Sequence, residues 1–203
     1  RHGFHRFQHW YAWPLFGFLP PKWTFFDDFR SVLRGAIGSQ RMPRPKGASL
    51  AFFILGKLGF VTWVFAIPML AGHSFLTVLG FYAIYCLVGG VVMSTVFQMA
   101  HVVQEADFQP APPPGERMER CWSEHQLATT VDFAPGNPWL TWFLGGLNYQ
   151  VEHHLFPRVS HIHYPDLYKI VRETCAEFGV AHRSHPSFGS AILSHLRHLK
   201  QLG

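Results

Sequence analysis

The chain of 203 residues is 48% hydrophobic and 16% aromatic but only 14% charged, a balance that is unusual for a soluble domain and indicates that part of it lies in a membrane. Its 14 histidines exceed its 12 acidic residues, which favours a metalloprotein over a simple anchor, and its 3 cysteines have no chelating spacing, which argues against a disulfide framework or a Cys-based zinc site. The net charge of +5 is not accompanied by an aromatic-interleaved basic motif, so we expect no nucleic-acid partner.

The composition of residues 1–49 predicts a segment that lies along a membrane surface. Its second part is basic. Aromatic residues and prolines crowd residues 1–30, a composition typical of the membrane interface rather than of a buried helix. Residues 31–49 form a connector rich in Arg, Lys, Pro and Gly, and positive clusters beside a span mark its cytoplasmic side. The chain begins with Arg1 and shows no signal sequence, so it is either a processed product or the tail end of a longer protein, and we expect the latter.

Two long apolar runs in residues 50–101 predict a pair of membrane-spanning helices. Leu50–Ala71 and Ser74–Ala100 each reach the roughly 20 residues that cross a hydrocarbon core of about 30 Å. Lys57 interrupts the first run and must reach the interface, face protein or shift the boundary of the span. Because only a short link around Gly72 separates the runs, we expect an antiparallel hairpin whose two flanks lie on the cytoplasmic side.

Residues 102–203 predict a polar, mainly helical cap on the cytosolic side. The run from Pro110 to Gly115 breaks any helix and opens a polar loop that ends near Pro138. An amphipathic helix begins at Pro165 and ends at Gly179, and residues 187–199 repeat its pattern. The expected fold is therefore all-α, with a membrane hairpin and a cytosolic helical cap.

The segment Gln150-Val-Glu-His-His-Leu-Phe-Pro157 has the pattern of a metal site. In a helix, Gln150, His153 and His154 stand at positions i, i+3 and i+4 and share one face, while adjacent side chains diverge by roughly 100°. The two imidazoles could therefore serve two different metals. Gly145 and Gly146 permit close backbone approach just before the segment, and the proline at its end limits its continuation.

The other histidines are weaker candidates for metal binding. His101 ends the second apolar run, where an ionisable side chain indicates function, although an interfacial histidine is the alternative. His5 and His9 stand four residues apart, a spacing that recurs by chance in a chain so rich in histidine. We expect hydrogen bonds rather than metal bonds for His125, His161 and His163, and a solvated surface for the tail histidines His182, His185, His195 and His198.

On these residues, the chain resembles the membrane fatty acid desaturase family, specifically the carboxyl-terminal half of the branch with front-end and linoleoyl-CoA-type desaturases. Residues 150–157 are similar to the third histidine box of that branch, with Gln150 where other branches place a histidine. Four further segments are similar to the family: Gly145–Tyr149, Phe97–His101, Trp122 with Gln126, and Tyr164–Leu167.

The resemblance implies an oxidoreductase of lipid metabolism that holds two non-haem iron ions on the cytosolic face of a four-helix membrane domain. With O₂ as co-substrate, such an enzyme removes two hydrogens from a fatty acyl chain and leaves a cis double bond. Carried over by position, His153 and His154 are iron ligands, His101 is an extra ligand, and Gln150 occupies the variant first position, where it acts directly or indirectly. No catalytic residue beyond this metal site is implied.

The resemblance also implies partners and a location. The partners are the lipid bilayer, a fatty acyl substrate carried on CoA or on a lipid, and an electron donor such as cytochrome b5 or ferredoxin. The location is a bacterial inner membrane or the endoplasmic reticulum. The implied organisation is an interfacial segment at 1–49, a transmembrane hairpin at 50–101, and a cap with the histidine box at 102–203.

The chain departs from the family pattern in its metal ligands. Residues 5–11 look like the stretch that follows the second histidine box, but the chain contains no H-x-x-H-H segment and no first box before them. Two of the four expected spanning helices are present. We therefore expect the isolated chain to bind less than stoichiometric iron and to be inactive, whereas the parent protein is expected to be a desaturase.

The sequence leaves three alternatives open. A di-iron hydroxylase of the same architecture would insert oxygen instead of removing a second hydrogen. A zinc-dependent membrane hydrolase would use three or four ligands and a general base such as Glu152. A non-catalytic membrane hairpin would carry its histidines incidentally.

Overall fold

The computed structural model describes residues 2–38, 40–110, 112–113 and 115–203, and most of them are helical, as expected. The helices up to residue 101 are Gly3–Phe7, Gln8–Phe16, Leu19–Lys22, Trp23–Asp27, Asp28–Arg34, Ala48–Val61, Thr62–Ala66, Ile67–Leu70 and Phe75–His101. The later helices are Trp122–Thr129, Pro138–Phe143, Gln150–Leu155, His161–His163, Tyr164–Glu177 and Phe188–Leu202. Gly3–Phe7 and His161–His163 are 3-10 helices, whereas Trp23–Asp27 and Thr62–Ala66 are π-helical.

Two short strand pairs interrupt the helices. Ala36–Ile37 pairs antiparallel with Gln40–Arg41, and Asp132–Phe133 pairs parallel with Ser184–His185. The all-α expectation omitted both pairs, because strands of two residues carry no periodic signal. The parallel pair joins segments that lie before and after the histidine box, so it brings together residues that are far apart in the sequence.

Contacts divide the chain into two compact units. One unit consists of Arg1–Tyr11 with Met93–Gly203, and the other is Ala12–Val92. Every residue that the sequence put forward as a metal ligand belongs to the first unit.

The first long apolar helix runs over Ala48–Leu70. A π-helical turn at Thr62–Ala66 precedes Pro68, whose ring would clash with the carbonyl four residues earlier in a regular α-helix. Lys57 donates hydrogen bonds to the Asp28 carboxylate at 2.5 Å and to the Thr24 carbonyl at 2.8 Å. The lysine therefore faces protein, which was one of its three expected placements.

The second long helix, Phe75–His101, packs against the first as a hairpin. The ring of Tyr82 meets the rings of Phe60 and Phe65 at centroid distances of 6.2 and 5.1 Å. Among the described residues, these two helices are long and apolar enough to cross a membrane. None of the apolar stretch of the first is buried and only 17% of that of the second, whereas the core helix of a soluble protein would be mostly buried.

The unit that carries the candidate ligands has a hydrophobic core at the end of the second long helix. Its main buried cluster consists of Val96, Met99, Ala100, Phe133 and Ala191. Three distant parts of the chain contribute to this cluster: the long helix, the strand Asp132–Phe133 and the last helix. The end of the long helix is thereby held against the segments that surround the histidine box.

The polar loop expected from Pro110 to about Pro138 is wrong over its second half, which contains the helix Trp122–Thr129 and the strand Asp132–Phe133. Both elements depend on distant partners, because the helix buries only a short apolar pair and the strand pairs with residues near the end of the chain. In the run that was expected to break the helix, Ala111 and Pro114 lie outside the described residues.

Both amphipathic helices expected in the tail are confirmed. Tyr164–Glu177 has Pro165 in its first turn and is followed by Gly179 at φ +67°, a conformation that favours glycine. Phe188–Leu202 begins after Ser187, whose hydroxyl accepts a hydrogen bond from a first-turn backbone N–H at 3.1 Å.

Candidate metal centre

The histidine box forms a short helix, Gln150–Leu155, as its spacing predicts. The helix ends because Pro157 has no N–H to donate and Phe156 already leaves the helical conformation, at φ −128° and ψ 57°. Residues 150–152 are buried, whereas His153 and His154 are half-buried. The first turn therefore anchors the helix, and the last turn presents the two imidazoles.

The strand Asp132–Phe133 holds the start of the box helix. The backbone N–H of Val151 donates to Oδ1 of Asp132 at 2.9 Å, and the N–H of Phe133 donates to the carbonyl of Asn148 at 3.0 Å. A carboxylate that accepts from the first turn of a helix satisfies a donor that has no partner within the helix.

Two glycines precede the box helix in the left-handed region, with φ +58° at Gly145 and +79° at Gly146. A Cβ atom on Gly146 would lie 2.8 Å from Cβ of His161 and 3.1 Å from Cδ2 of Tyr164. A Cβ atom on Gly145 would meet nothing within 4 Å. The expected close approach is therefore confirmed at Gly146, and Gly145 is required only for its backbone conformation.

This difference makes the two glycines a matched pair for mutation. We expect Gly145→Ala to lower the free energy of unfolding by about 1–2 kcal/mol, because a side chain is disfavoured at positive φ. Gly146→Ala should cost a further ~1–3 kcal/mol, because the added methyl overlaps its neighbours. Chemical denaturation of the purified variants in detergent measures both values, and equal losses would contradict this assignment.

Three imidazoles converge at the end of the second long helix. The ring centroid of His154 lies 5.0 Å from that of His101 and 5.8 Å from that of His153. The planes of these two ring pairs are inclined by 65° and 83°. The fold thus brings His101 to the box helix, although the two are separated by the whole segment 102–149.

The rings of His101 and His154 are oriented by acceptors. Nδ1 of His154 donates to Oε1 of Gln126 at 2.8 Å, and Nδ1 of His101 donates to the carbonyl of Thr129 at 3.4 Å. Because a carbonyl oxygen only accepts, each ring carries its hydrogen on Nδ1 and keeps the lone pair on Nε2. Metal-binding histidines are oriented in this way by partners at the other ring nitrogen.

The third ring is held by a tyrosine. Nδ1 of His153 lies 3.2 Å from the hydroxyl of Tyr164, which can donate or accept. Gln126 and Tyr164 both belong to segments that are similar to the desaturase family, yet nothing in the sequence assigned them a contact. The structure connects them to the two box histidines.

The electrostatic surroundings keep His154 neutral. Burial, followed by the neighbouring imidazoles of His101 and His153, lowers the pKa of His154 to about 4. Protons and metal ions compete for the same imidazole lone pair, so a ring that is neutral at physiological pH is ready to bind a metal.

Gln150 occupies the first position of the box helix and is only 2% exposed. Its amide nitrogen has no hydrogen-bond partner among the described residues. The amide oxygen is the atom that could bind a metal, because the NH₂ group only donates. A direct or indirect role of Gln150 at the metal stays a prediction.

The expectation that the tail histidines lie on a solvated surface is wrong. All four side chains are buried: His182, His185, His195 and His198. Nε2 of His185 lies 3.1 Å from a carboxylate oxygen of Glu105, and Nδ1 of His195 donates to the carbonyl of Val102 at 2.6 Å. These partners come from distant segments, so the local polarity of the tail did not reveal them.

His182 lies beside two buried carboxylates, at 3.2 Å from Oδ2 of Asp132 and 3.7 Å from Oε1 of Glu152. Burial raises the pKa of Asp132 to about 7, and the charge of Glu152 adds to the rise. Burial opposes a charged His182 ring, but the two carboxylates outweigh it and raise its pKa to about 9. Sequence reasoning missed this group, because its members are far apart and share no spacing pattern.

The fold thus brings three oriented imidazoles together at the end of the helix Phe75–His101. Residues 1–186 match the sequence model of the family described as fatty acid desaturase, and the chain belongs to that family. The resemblance inferred from the histidine box and its neighbouring segments is thereby confirmed.

The curated relatives are named as desaturases, which are oxidoreductases. The chain is 37% identical over 203 residues to the sn-1 linoleoyl-lipid 6-desaturase of Synechocystis sp., with 99% of this chain and 56% of the relative covered. It is 38% identical over 204 residues to the acyl-lipid (8-3)-desaturase of Physcomitrium patens, with 100% and 42% covered. It is 36% identical over 200 residues to the sn-1 linoleoyl-lipid 6-desaturase of Arthrospira platensis, with 98% and 54% covered.

The chain spans about half the length of the curated relatives it matches. No solved structure matches the chain significantly.

The family is generally iron-dependent, and the residues of the candidate centre fit iron. Imidazole nitrogen is a suitable ligand for iron, and Nε2 of His101 and of His154 is unprotonated and held in orientation from the other side of the ring. With His153, these rings offer three nitrogen ligands to a metal centre.

Proposed function

We propose that this chain forms part of a membrane fatty acid desaturase, which inserts a cis double bond into a fatty acyl chain by O₂-dependent chemistry at two non-haem iron ions. The observation that carries the proposal is the convergence of His101, His153 and His154, each held through Nδ1, in a chain of the desaturase family. The metal ligands proposed here are these three histidines, with Gln150 as a direct or indirect fourth.

The chemistry of the substrate explains why a metal centre is needed. An unactivated methylene has no acidic proton and no leaving group, so acid–base or nucleophilic side chains cannot remove its hydrogens. Iron and O₂ would supply the oxidising power. Overall, two hydrogens of the acyl chain, two electrons and two protons reduce one O₂ to two waters while the C–C single bond becomes a double bond.

The chain's own residues prepare the site for this chemistry. Gln126 and Thr129 fix the rings of His154 and His101 so that Nε2 keeps its lone pair, and Tyr164 holds the ring of His153. Rigid orientation of ligands limits the geometries that a metal centre can adopt, and loss of such partners weakens metal binding.

We propose that Ala48–Leu70 and Phe75–His101 cross the membrane and that the histidines lie on its cytosolic face. The support is the exposed apolar surface of both helices and the basic residues of the connector 31–49, which directly precede the first helix. In a hairpin, the end of the second helix returns to the side where the first began, so His101 would share the side of the basic connector. The membrane would be a bacterial inner membrane or the endoplasmic reticulum.

The substrate is proposed to be an unsaturated acyl chain on a membrane lipid, with an acyl-CoA as the alternative. Two of the relatives are named sn-1 linoleoyl-lipid 6-desaturases and a third is named an acyl-lipid desaturase. Gln150 at the first box position favours the branch that inserts bonds towards the carboxyl end and takes electrons from a cytochrome b5-type donor; a ferredoxin is the alternative donor.

The test is expression of the complete gene in a host whose lipids contain linoleate, followed by mass spectrometry of the fatty acids. We expect a new product that has lost two hydrogens, with the new double bond on the carboxyl side of the existing ones. A product that has gained one oxygen would identify a hydroxylase instead. New bonds only on the methyl side would contradict the branch assignment, and an unchanged profile together with metal-free protein would favour a non-catalytic hairpin.

The zinc hydrolase alternative is not favoured. Its general base would have to reach a metal-bound water, whereas Glu152 is fully buried and faces Asp132 and His182. We further propose that the isolated chain holds fewer than two irons and is inactive, because three imidazoles are too few ligands for two metal ions.

A further inference from the structure

Asp132, Glu152 and His182 form a buried group that the proposed desaturation does not use. Asp132 and Glu152 are 0% exposed, and the side chain of His182 is 4% exposed. The parallel strand pair sets Asp132 near His182, since the N–H of Asp132 donates to the carbonyl of Arg183 at 3.1 Å. Glu152 comes from the box helix, which Asp132 holds through the N–H of Val151.

Hydrogen bonds do not satisfy this group. Oδ1 of Asp132 accepts the Val151 N–H, which leaves Oδ2 of Asp132 and both oxygens of Glu152. Within the part of the chain that the structure describes, none of these three oxygens has a hydrogen-bond partner. The donor that faces them is Nε2 of His182, and one N–H serves one acceptor well. With both carboxylates ionised, even a protonated ring would leave a net charge of −1 in the interior, which is strongly unfavourable until a proton or a cation neutralises it.

We propose that Asp132, Glu152 and His182 together bind one divalent transition-metal ion. Two carboxylates, a neutral imidazole and an ion of charge +2 form a neutral group, and the ion supplies the partner that the buried oxygens need. The proposed site shares no ligand with the three converging imidazoles.

The spacing of the donor atoms agrees with such an ion. One ligand atom from each residue lies within 4.8 Å of the other two, and Nε2 of His182 is 3.2 and 3.7 Å from the two carboxylate oxygens. Tetrahedral bonds of about 2.0–2.2 Å place ligand atoms roughly 3.3–3.6 Å apart. A nitrogen donor beside the carboxylates favours zinc or a similar transition metal over Mg²⁺ or Ca²⁺, which prefer oxygen.

An ion at this position would connect three parts of the fold. It would link the strand Asp132–Phe133, the box helix and the segment after Tyr164–Glu177. Because His153 and His154 directly follow Glu152, the ion would stabilise the helix that presents them. Its role would therefore be structural, and its binding does not depend on desaturase activity.

The test uses the full chain, without an affinity tag and with His153→Ala and His154→Ala, so that the box imidazoles cannot bind the probe. After treatment with a chelator, the protein is titrated with Zn²⁺ alone, and bound zinc is measured by elemental analysis after gel filtration. We expect one zinc per chain. Adding Glu152→Gln should weaken zinc binding by more than about 10-fold. Loss of a residue that only hydrogen-bonds to a metal ligand already lowers metal affinity by about 10- to 100-fold, and Glu152 is proposed to be a ligand itself.

Glu105→Gln is the matched control, because Glu105 is also paired with a buried histidine, His185, at 3.1 Å, but without a second carboxylate. It should leave the zinc affinity unchanged. Absence of zinc from the double variant, or equal affinity after Glu152→Gln, would overturn the proposal and indicate a group bridged by protons instead.

X-ray absorption of the zinc-loaded double variant gives a second answer that does not require Glu152→Gln to fold. The expected coordination is one imidazole nitrogen with oxygen ligands. A shell with two or more imidazoles, or with sulfur, would also overturn the proposal. Neither measurement involves desaturase activity, so failure here leaves the proposed function untouched.

Discussion

Changing His154 to alanine in the complete gene product is expected to abolish the new double bond in the fatty acid profile. His154 is the central ring of the three, with centroids 5.0 Å from His101 and 5.8 Å from His153. Its low pKa, about 4, keeps its lone pair available at every physiological pH. Loss of a residue that only hydrogen-bonds to a metal ligand typically lowers activity by ~10- to 100-fold. Removing His154, a proposed ligand itself, should reduce the product by more than this.

His163→Ala is the control for this experiment. His163 is exposed, lies only a few residues after the box helix, and was expected to make hydrogen bonds rather than metal bonds. Its loss should leave the fatty acid profile near that of the unaltered protein. If His154→Ala kept as much product as His163→Ala, the assignment of His154 as a metal ligand would be wrong.

The second large effect is expected at Gln126, whose amide oxygen accepts the hydrogen bond that orients the ring of His154. Gln126→Ala removes the acceptor for Nδ1, so the ring can turn or change its tautomer. We expect product to fall by about 10- to 100-fold, together with a loss of bound iron in the purified complete protein. Gln126→Glu keeps an acceptor oxygen and should restore most of the iron.

Glu124 provides the matched control on the same helix, because its side chain is exposed. Glu124→Ala should change neither the iron content nor the product. A purely structural role of Gln126 would lower the stability of the protein equally in the Ala and Glu variants. If Gln126→Glu recovers iron and Gln126→Ala does not, Gln126 acts by orienting the ligand rather than by general packing.

Much of the architecture could be predicted because it depends on local pattern. The spans expected at Leu50–Ala71 and Ser74–Ala100 differ from the observed helices Ala48–Leu70 and Phe75–His101 by at most two residues at each end. An apolar run of this length must form all its backbone hydrogen bonds within itself, which requires a helix. The box helix was also predictable from local sequence, because its proline sets its end.

The segment between the hairpin and the box could not be predicted in the same way. The helix Trp122–Thr129 has no clear apolar stripe, and the strand Asp132–Phe133 exists because it pairs with Ser184–His185. Their residues orient the candidate ligands: Gln126 and Thr129 contact the rings, and Asp132 holds the box helix. The tail histidines were misjudged for the same cause, because their partners are distant in the sequence.

The sequence by itself determined the two apolar helices, the family, and the face on which Gln150, His153 and His154 lie, because each follows from spacing along one stretch of chain. The tertiary structure alone decided that His101 meets His154, that Gln126 and Tyr164 hold the box rings, and that His182 is buried between Asp132 and Glu152. These contacts join residues from separate segments, and such proximity arises only when the hydrophobic core and the strand pair close the chain on itself.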